Sequence, residues 1–153
     1  MILQIKQAEP CHLPEIARLE QIIFPDPWSV ALLEGRIHDP ACRFLVVEGE
    51  GVVQGYGILQ LFPPEAEVLN IAVNPTARRQ GVGRCLLGAL LEAAGTEDIG
   101  DIHLEVRVSN TPAQGLYRGF GFREIGLRNN YYDNPSEDAV VMIRGGEEGK
   151  ISY

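Results

Sequence analysis

The stretch from Val68 to Ala94, VLNIAVNPTARRQGVGRCLLGALLEAA, restricts the fold more than any other part of the chain. It opens as an apolar extended run, Val68-Leu69-Asn70-Ile71-Ala72-Val73. Asn74-Pro75 ends that run, because proline has no N–H to give a sheet ladder. A short polar loop carries Arg78 and Arg79, Gly81-Val82-Gly83 follows, and a helical pattern begins. Val82, Leu86, Leu87, Leu90, Leu91 and Ala94 recur at the spacing of an amphipathic helix over about 81–94, with Gly95 as its C′ residue. Strand, basic glycine loop and helix in that order suit an anion. The first turn of a helix leaves N–H groups without internal partners, and its dipole is positive there. Glycines let the backbone approach a phosphate closely. Arg78, Arg79, Gln80, Gly81, Val82, Gly83 and Arg84 therefore read as a phosphate cradle for a nucleotide-like cofactor, with the three arginines adding charge.

The rest of the chain is read around that unit. Met1–Gln7 alternates as a short strand, and Leu13, Ile16, Leu19, Ile22 and Ile23 mark a helix. Phe24-Pro25-Asp26-Pro27-Trp28 breaks it, and Ser29 caps a second short helix. Strands follow at Phe44–Val47, Val52–Phe62 and Glu65–Val73, with a hairpin turn at Glu48-Gly49-Glu50-Gly51 and bulges at Gly55 and Gly57. Asp101–Val108 alternates strictly: Ile102, Leu104, Val106 and Val108 share one face, and His103, Glu105 and Arg107 the other. Asn110-Thr111-Pro112 starts a helix that stops at Gly119. Phe120–Leu127 is a strand, Arg128–Asp138 a long polar and aromatic loop, and Ala139–Ile143 the last strand. The expected order is β-α-α-β-β-β-α-β-α-β-β, a single mixed α/β domain over residues 1–144 with a loose tail over 145–153. Early hairpins imply antiparallel pairing, and two later β-α-β passages imply parallel pairing beside the cofactor loop.

Composition excludes several classes. A formal charge of −8 argues against a nucleic-acid binder, which carries a basic face. Cys11, Cys42 and Cys85 are far apart and show no CxxC or Cys/His spacing, so they read as reduced thiols of a cytosolic protein without a metal site. The N-terminus lacks the features of a signal peptide, and no apolar run is long enough to span a membrane.

Three glycine-loop patterns compete for the cradle. GxxxxGK[ST] is absent. The dinucleotide fingerprint GxGxxG fails, because Gly81-Val82-Gly83 is followed by Arg84-Cys85-Leu86, and Glu92 lies inside the helix rather than at a strand end. The third pattern, RxxGxG, is filled by Arg78-Arg79-Gln80-Gly81-Val82-Gly83. After a strand ending Ala72-Val73, it resembles the acetyl-CoA loop of the GNAT superfamily of N-acetyltransferases. The likeness extends to Phe24-Pro25-Asp26-Pro27-Trp28-Ser29, Leu69–Val73, Leu104-Glu105-Val106-Arg107-Val108-Ser109-Asn110, Ala113, Leu116-Tyr117, Gly119-Phe120-Gly121-Phe122, Tyr131-Tyr132, Glu137-Asp138-Ala139 and Met142. These collinear motifs are similar to the RimI branch, whose members acetylate the N-terminal alanine of a small-subunit ribosomal protein.

The resemblance implies a GNAT fold, acetyl-CoA as co-substrate and a protein N-terminus as partner, with neither nucleic acid nor membrane involved. It implies that loop amides hold the coenzyme A pyrophosphate and that the strand at Ile71, Ala72 and Val73 pairs with the pantetheine arm. It puts the general base on Glu105, the general acid on Tyr117 and a coenzyme A hydrogen bond on Asn110. Acetyl transfer to an amine releases one proton and consumes another at the leaving thiolate, so an acid and a base on opposite sides of the carbonyl suit it. A bland reading stands beside each role: a strand-face ion pair for Glu105, core packing for Tyr117 and for Trp28. Asp26, Trp28, Tyr131 and Tyr132 are the candidate acceptor-side residues, with regions 24–29 and 128–138 expected to form the groove. At pH 7 an α-amine costs about 1.4 kcal/mol to deprotonate and a lysine about 4.6 kcal/mol, which favours the α-amine. A GNAT acting on lysine or a small amine is the enzyme alternative, and an acyl-CoA-binding sensor the non-enzymatic one.

Overall fold

Apolar alternation and glycine or proline punctuation place most elements where the sequence puts them. In the computed structural model, which describes residues 1–145, they are β1 (Leu3–Gln7), a 3-10 turn (Pro10–His12), α1 (Leu13–Ile23), α2 (Val30–Ile37), β2 (Cys42–Gly49), β3 (Val52–Phe62), β4 (Glu65–Val73), a second 3-10 turn (Pro75–Ala77), α3 (Val82–Gly95), β5 (Asp101–Arg107), α4 (Thr111–Gly119), β6 (Arg123–Tyr132) and β7 (Glu137–Gly145). Residues expected as a loose tail lie outside the described ones, except Gly145, which ends β7. Ser29 Oγ accepts from Leu32 N at 3.1 Å, as its N-cap role requires. The hairpin between β2 and β3 turns on Glu50 and Gly51, with φ of 55° and 76°, the left-handed pair that a two-residue turn needs.

The seven strands form one sheet in the order β1-β2-β3-β4-β5-β7-β6. Only β4 and β5 are parallel, joined by α3. The second expected parallel pair does not form side by side, because β7 inserts antiparallel between β5 and β6. No helix among the described residues is long and apolar enough to cross a membrane.

Helices cover both faces. Leu59, Leu61, Ala66, Val68, Leu104 and Val106 of the strands are buried with Leu87, Leu90 and Leu91 of α3 and Tyr117 of α4. Tyr56, Ile58 and Ala72 are buried with Ile16 and Leu19 of α1 and Leu33 of α2. Gly55 and Gly57 are not the bulged residues of β3. A Cβ on Gly57 would stand 2.8 Å from Leu90 Cδ1, and one on Gly55 2.8 Å from Val82 Cγ1, so these glycines let α3 lie close on the sheet. The bulge of this strand pair is on β4: Ile58 faces Asn70 and Leu59 faces Val68, which leaves Leu69 extra. The extra residue reverses the alternation. Ala66 and Val68 point to the α3 side, while Ala72 points to the α1–α2 side.

Other differences are local. Gly95 is the last residue of α3 and Thr96 its C-cap. Val108 lies beyond β5 and is 43% exposed, so it does not extend the buried face. The long loop expected over 128–138 is mostly strand, with only residues 133–136 between β6 and β7.

Candidate active site

β4 and β5 pair only over Glu65–Glu67 and Asp101–His103. Past that point no ladder joins them among the described residues, while β4 stays paired to β3 as far as Val73. Ile71, Ala72 and Val73 thus border an opening between two parallel strands. The bulge at Leu69 lies where this opening begins.

The cradle sits at the end of the same strand. Asn74 Oδ1 accepts from Thr76 N at 3.2 Å and turns the chain. Arg79 has φ 65° and Gly81 φ 83°, two left-handed residues in one short loop. The arginine is the unusual one, since a Cβ makes this conformation unfavourable. Gly81 is the N-cap of α3, and the first helical bond runs from Cys85 N to Gly81 O at 3.0 Å. The N–H groups of Val82, Gly83 and Arg84 precede that bond, and no side chain caps them. A Cβ on Gly81 would meet nothing within 4 Å, so the space above these amides is open. Arg78, Arg79, Gln80 and Arg84 are exposed around it, and none of the three arginines is in an ion pair among the described residues. Backbone donors, a positive helix end and three unpaired cations fit a pyrophosphate.

Glu105 lies on β5, on the face opposite Leu104 and Val106. Its side chain is 13% exposed, and its Oε2 stands 3.2 Å from Arg128 Nε of β6. The ion pair expected within its own strand is not made; Arg107 instead pairs with Glu137 at 3.0 Å and donates to the Asp133 and Pro135 carbonyls. Glu67 of β4 stands beside Glu105, and its carboxyl is pushed up, first by burial and then by its Glu105 neighbour. Sequence reading missed Glu67 because alternation showed only a polar residue on a strand, and nothing in the chain order says which carboxylate will stand beside it. Arg128 was missed for the same reason.

Tyr117 approaches from the other face. It is 8% exposed, packs edge-on against Phe122 at 5.7 Å, and shares the α3-side cluster with Leu104 and Val106. Burial pushes its phenol up to about 12. Its hydroxyl has no hydrogen-bond partner among the described residues. Asn110 caps α4, its Oδ1 accepting from Ala113 N at 3.2 Å.

The acceptor-side residues divide. Trp28 packs against the α1–α2 core, with the Arg36 guanidinium 5.6 Å above its ring, which is the anchoring role. Asp26 is exposed, and its Oδ1 accepts from Asn134 Nδ2 at 2.9 Å, joining the 24–28 loop to the β6–β7 turn. Tyr131 and Tyr132 pack edge-on at 5.0 Å; Arg128 stands 5.7 Å over the first ring and Arg107 4.4 Å over the second. Burial and then the charges of Glu105 and Glu67 push the Tyr131 phenol up, so it lies near both carboxylates. Tyr132 is pushed up by burial first, then by Tyr131 and Glu105. The two expected groove regions therefore meet, with Glu105 between them and the strand opening.

Comparison with known proteins agrees with this arrangement. Residues 13–122 match the Acetyltransferase (GNAT) family. The chain is 35% identical over 131 residues to a putative [ribosomal protein bS18]-alanine N-acetyltransferase of Bacillus subtilis, covering 85% of this chain and 87% of the relative. It is 34% identical over 140 residues to the [ribosomal protein bS18]-alanine N-acetyltransferase of Escherichia coli, covering 90% and 94%. The crystal structure of the ribosomal-protein-S18-alanine N-acetyltransferase from Escherichia coli superposes with a TM-score of 0.86 at 32% identity, covering 94% of each chain. With the splayed parallel pair, the glycine cradle and these likenesses together, the chain belongs to the GNAT family of acetyltransferases.

Proposed function

We propose that the protein transfers the acetyl group of acetyl-CoA to the α-amine of a protein N-terminus, the alanine of a small-subunit ribosomal protein being the natural acceptor. The observation that supports this reading is Glu105 on one face of β5, next to the strand opening, with Tyr117 of α4 in the cluster packed on the other face. The names of the relatives support the choice of acceptor. Acetyl-CoA supplies an activated acetyl thioester. The amides of Val82, Gly83 and Arg84, with Arg78, Arg79 and Gln80 around them, hold its pyrophosphate; Ile71, Ala72 and Val73 border its arm, and Asn110 stands at the start of α4.

Glu105 takes the proton that the amine loses, and Tyr117 returns one to the departing sulfur. A phenol at about 12 is a weak donor toward a free thiolate near ~8.5. Glu67 places a second carboxyl on the amine side, where the pair favours a cationic acceptor end.

The test compares acetylation of a peptide beginning Ala-Arg with the same peptide blocked at its N-terminus. Acetylation of the free peptide alone is the expected result. Equal turnover of the blocked peptide would refute the α-amine assignment.

A further inference from the structure

The α1–α2 face holds a second carboxylate that the chemistry above does not use. Glu20, in the last half of α1, is 1% exposed. No cation pairs with it among the described residues. Three donors from three separate elements satisfy it instead. Its Oε2 accepts from the backbone N–H of Trp28 at 2.9 Å. Its Oε1 accepts from the Tyr56 hydroxyl of β3 and from Asn70 Nδ2 of β4 at 3.2 Å.

Two of these donors matter beyond stability. Trp28 closes the loop that carries Asp26, and Asn70 is the first residue after the β4 bulge, where the opening begins. Asn70 reaches Glu20 only because the extra Leu69 turns it to the α1–α2 face, the face on which Glu105 also lies. A buried carboxylate is a poor way to stabilise a core, since an apolar side chain of similar volume is often as good or better. It is a good way to fix relative position, because three charge-assisted hydrogen bonds tolerate little displacement. We propose that Glu20 is a positioning residue for the acceptor: it clamps the 24–28 loop to the bulge of β4 and so sets where the incoming amine meets the cofactor strand. This rests on reading that loop as a wall of the acceptor groove.

Glutamine at this position keeps the volume but turns one acceptor oxygen into a donor, which then faces an N–H or O–H donor. At least one of the three bonds is lost. In Glu20→Gln, KM for the Ala-Arg peptide is expected to rise about ten-fold or more, the size of one hydrogen bond to a charged group. kcat and coenzyme A affinity are expected to change less than about three-fold. Tyr56→Phe removes a donor that belongs to neither the loop nor β4, and is expected to lower Tm while leaving KM alone. Asn70→Ala serves where Glu20→Gln does not fold, and is expected to raise KM in the same direction. Wild-type KM in a folded Glu20→Gln or Asn70→Ala protein overturns the proposal, as does a KM rise equalled in Tyr56→Phe. Trp28 is the only tryptophan of the chain, so its fluorescence reads the loop without any turnover. Red-shifted emission and easier acrylamide quenching in Glu20→Gln, at unchanged far-UV circular dichroism, support the clamp; unchanged emission and quenching overturn it. A wild-type protein that acetylates no peptide N-terminus refutes the functional reading instead, and the fluorescence still decides whether Glu20 holds the loop.

Discussion

Glu67 of β4 and Glu105 of β5 stand beside each other at the opening between their strands, and burial together with its Glu105 neighbour pushes the Glu67 carboxyl up. Glu67, half-buried and raised, keeps its proton to a higher pH than a free glutamate. If an ionised Glu67 is what draws the cationic acceptor end to Glu105, activity is present above the raised Glu67 value and is lost as pH falls through it. The acid limb of kcat/KM for the free enzyme is therefore expected above the usual carboxylate region, and Glu67→Gln is expected to move it down. A limb that stays put in Glu67→Gln removes Glu67 from the proton inventory. Glu105→Gln should lower kcat by about 10²–10⁴-fold, the usual worth of a general base, with coenzyme A binding kept. Unchanged turnover in that variant would falsify Glu105 as the base.

Three glycines separate packing from binding. A Cβ on Gly57 would sit 2.8 Å from Leu90 Cδ1 and 3.2 Å from Leu86 Cγ, inside the α3 contact. Gly57→Ala is expected to cost about 1–3 kcal/mol in urea unfolding, with coenzyme A affinity little changed in the folded fraction. On Gly55 the added carbon would sit 2.7 Å from the Ala72 carbonyl oxygen, so Gly55→Ala moves the backbone of the cofactor strand as well. Gly55→Ala is expected to weaken both stability and coenzyme A binding. A Cβ on Gly81 would meet no atom, but Gly81→Val forces a β-branched residue to φ 83° at the start of the helix. A folded protein that no longer binds coenzyme A is the expected outcome, measured by calorimetry and circular dichroism. Normal binding in Gly81→Val would remove the cradle.

These glycines also mark what the chain discloses on its own. The cradle is local: Asn74-Pro75, the basic loop and the apolar period of α3 are contiguous, so their physics is written in consecutive residues. Gly55 and Gly57 are visible as strand glycines, but not what they approach, because Leu86, Leu90 and Val82 come from a later element. The bulge falls at Leu69, a residue with no turn chemistry, and shows only in the pairing with β3. Only the second half of β6, past the strand expected to end at Leu127, is hidden, and for another reason. It is a sheet edge, its residues are mostly exposed, and Asn129, Asn130 and Tyr131 fall in a register shift against β7, so no alternation survives to be read. Glu67 beside Glu105 and Asn70 beside Glu20 are products of topology, and no spacing in the chain announces them.

Tyr117 separates proton donation from packing. Its ring contributes to the cluster with Phe122, Leu104 and Val106, while its hydroxyl bonds to no described residue. Tyr117→Phe keeps the ring and deletes only the hydroxyl. Tm is expected to stay near wild type, because no protein hydrogen bond is lost, and kcat to fall about 10²-fold or more with KM for the peptide little changed. Wild-type kcat in this variant would leave Tyr117 with a packing role alone.

The contact between Asp26 and Asn134 ties the loop after α1 to the turn between β6 and β7. The loop root is fixed within the α1–α2 core, whereas this 2.9 Å bond is exposed to solvent. Exposed hydrogen bonds contribute little to stability, on the order of 1 kcal/mol or less, because water replaces them readily. A peptide ammonium is therefore expected to displace Asn134 and take its place on Asp26. Asn134→Ala is expected to leave Tm within about a degree or two of wild type and to lower KM for the Ala-Arg peptide, since the acceptor no longer competes with Asn134. Asp26→Asn removes the charge that an ammonium would meet and is expected to raise KM, more strongly at low salt than at high salt. If KM rises in Asn134→Ala as it does in Asp26→Asn, the bond shapes the groove rather than opening for the acceptor. Steady-state kinetics of the two variants at two ionic strengths tell these apart.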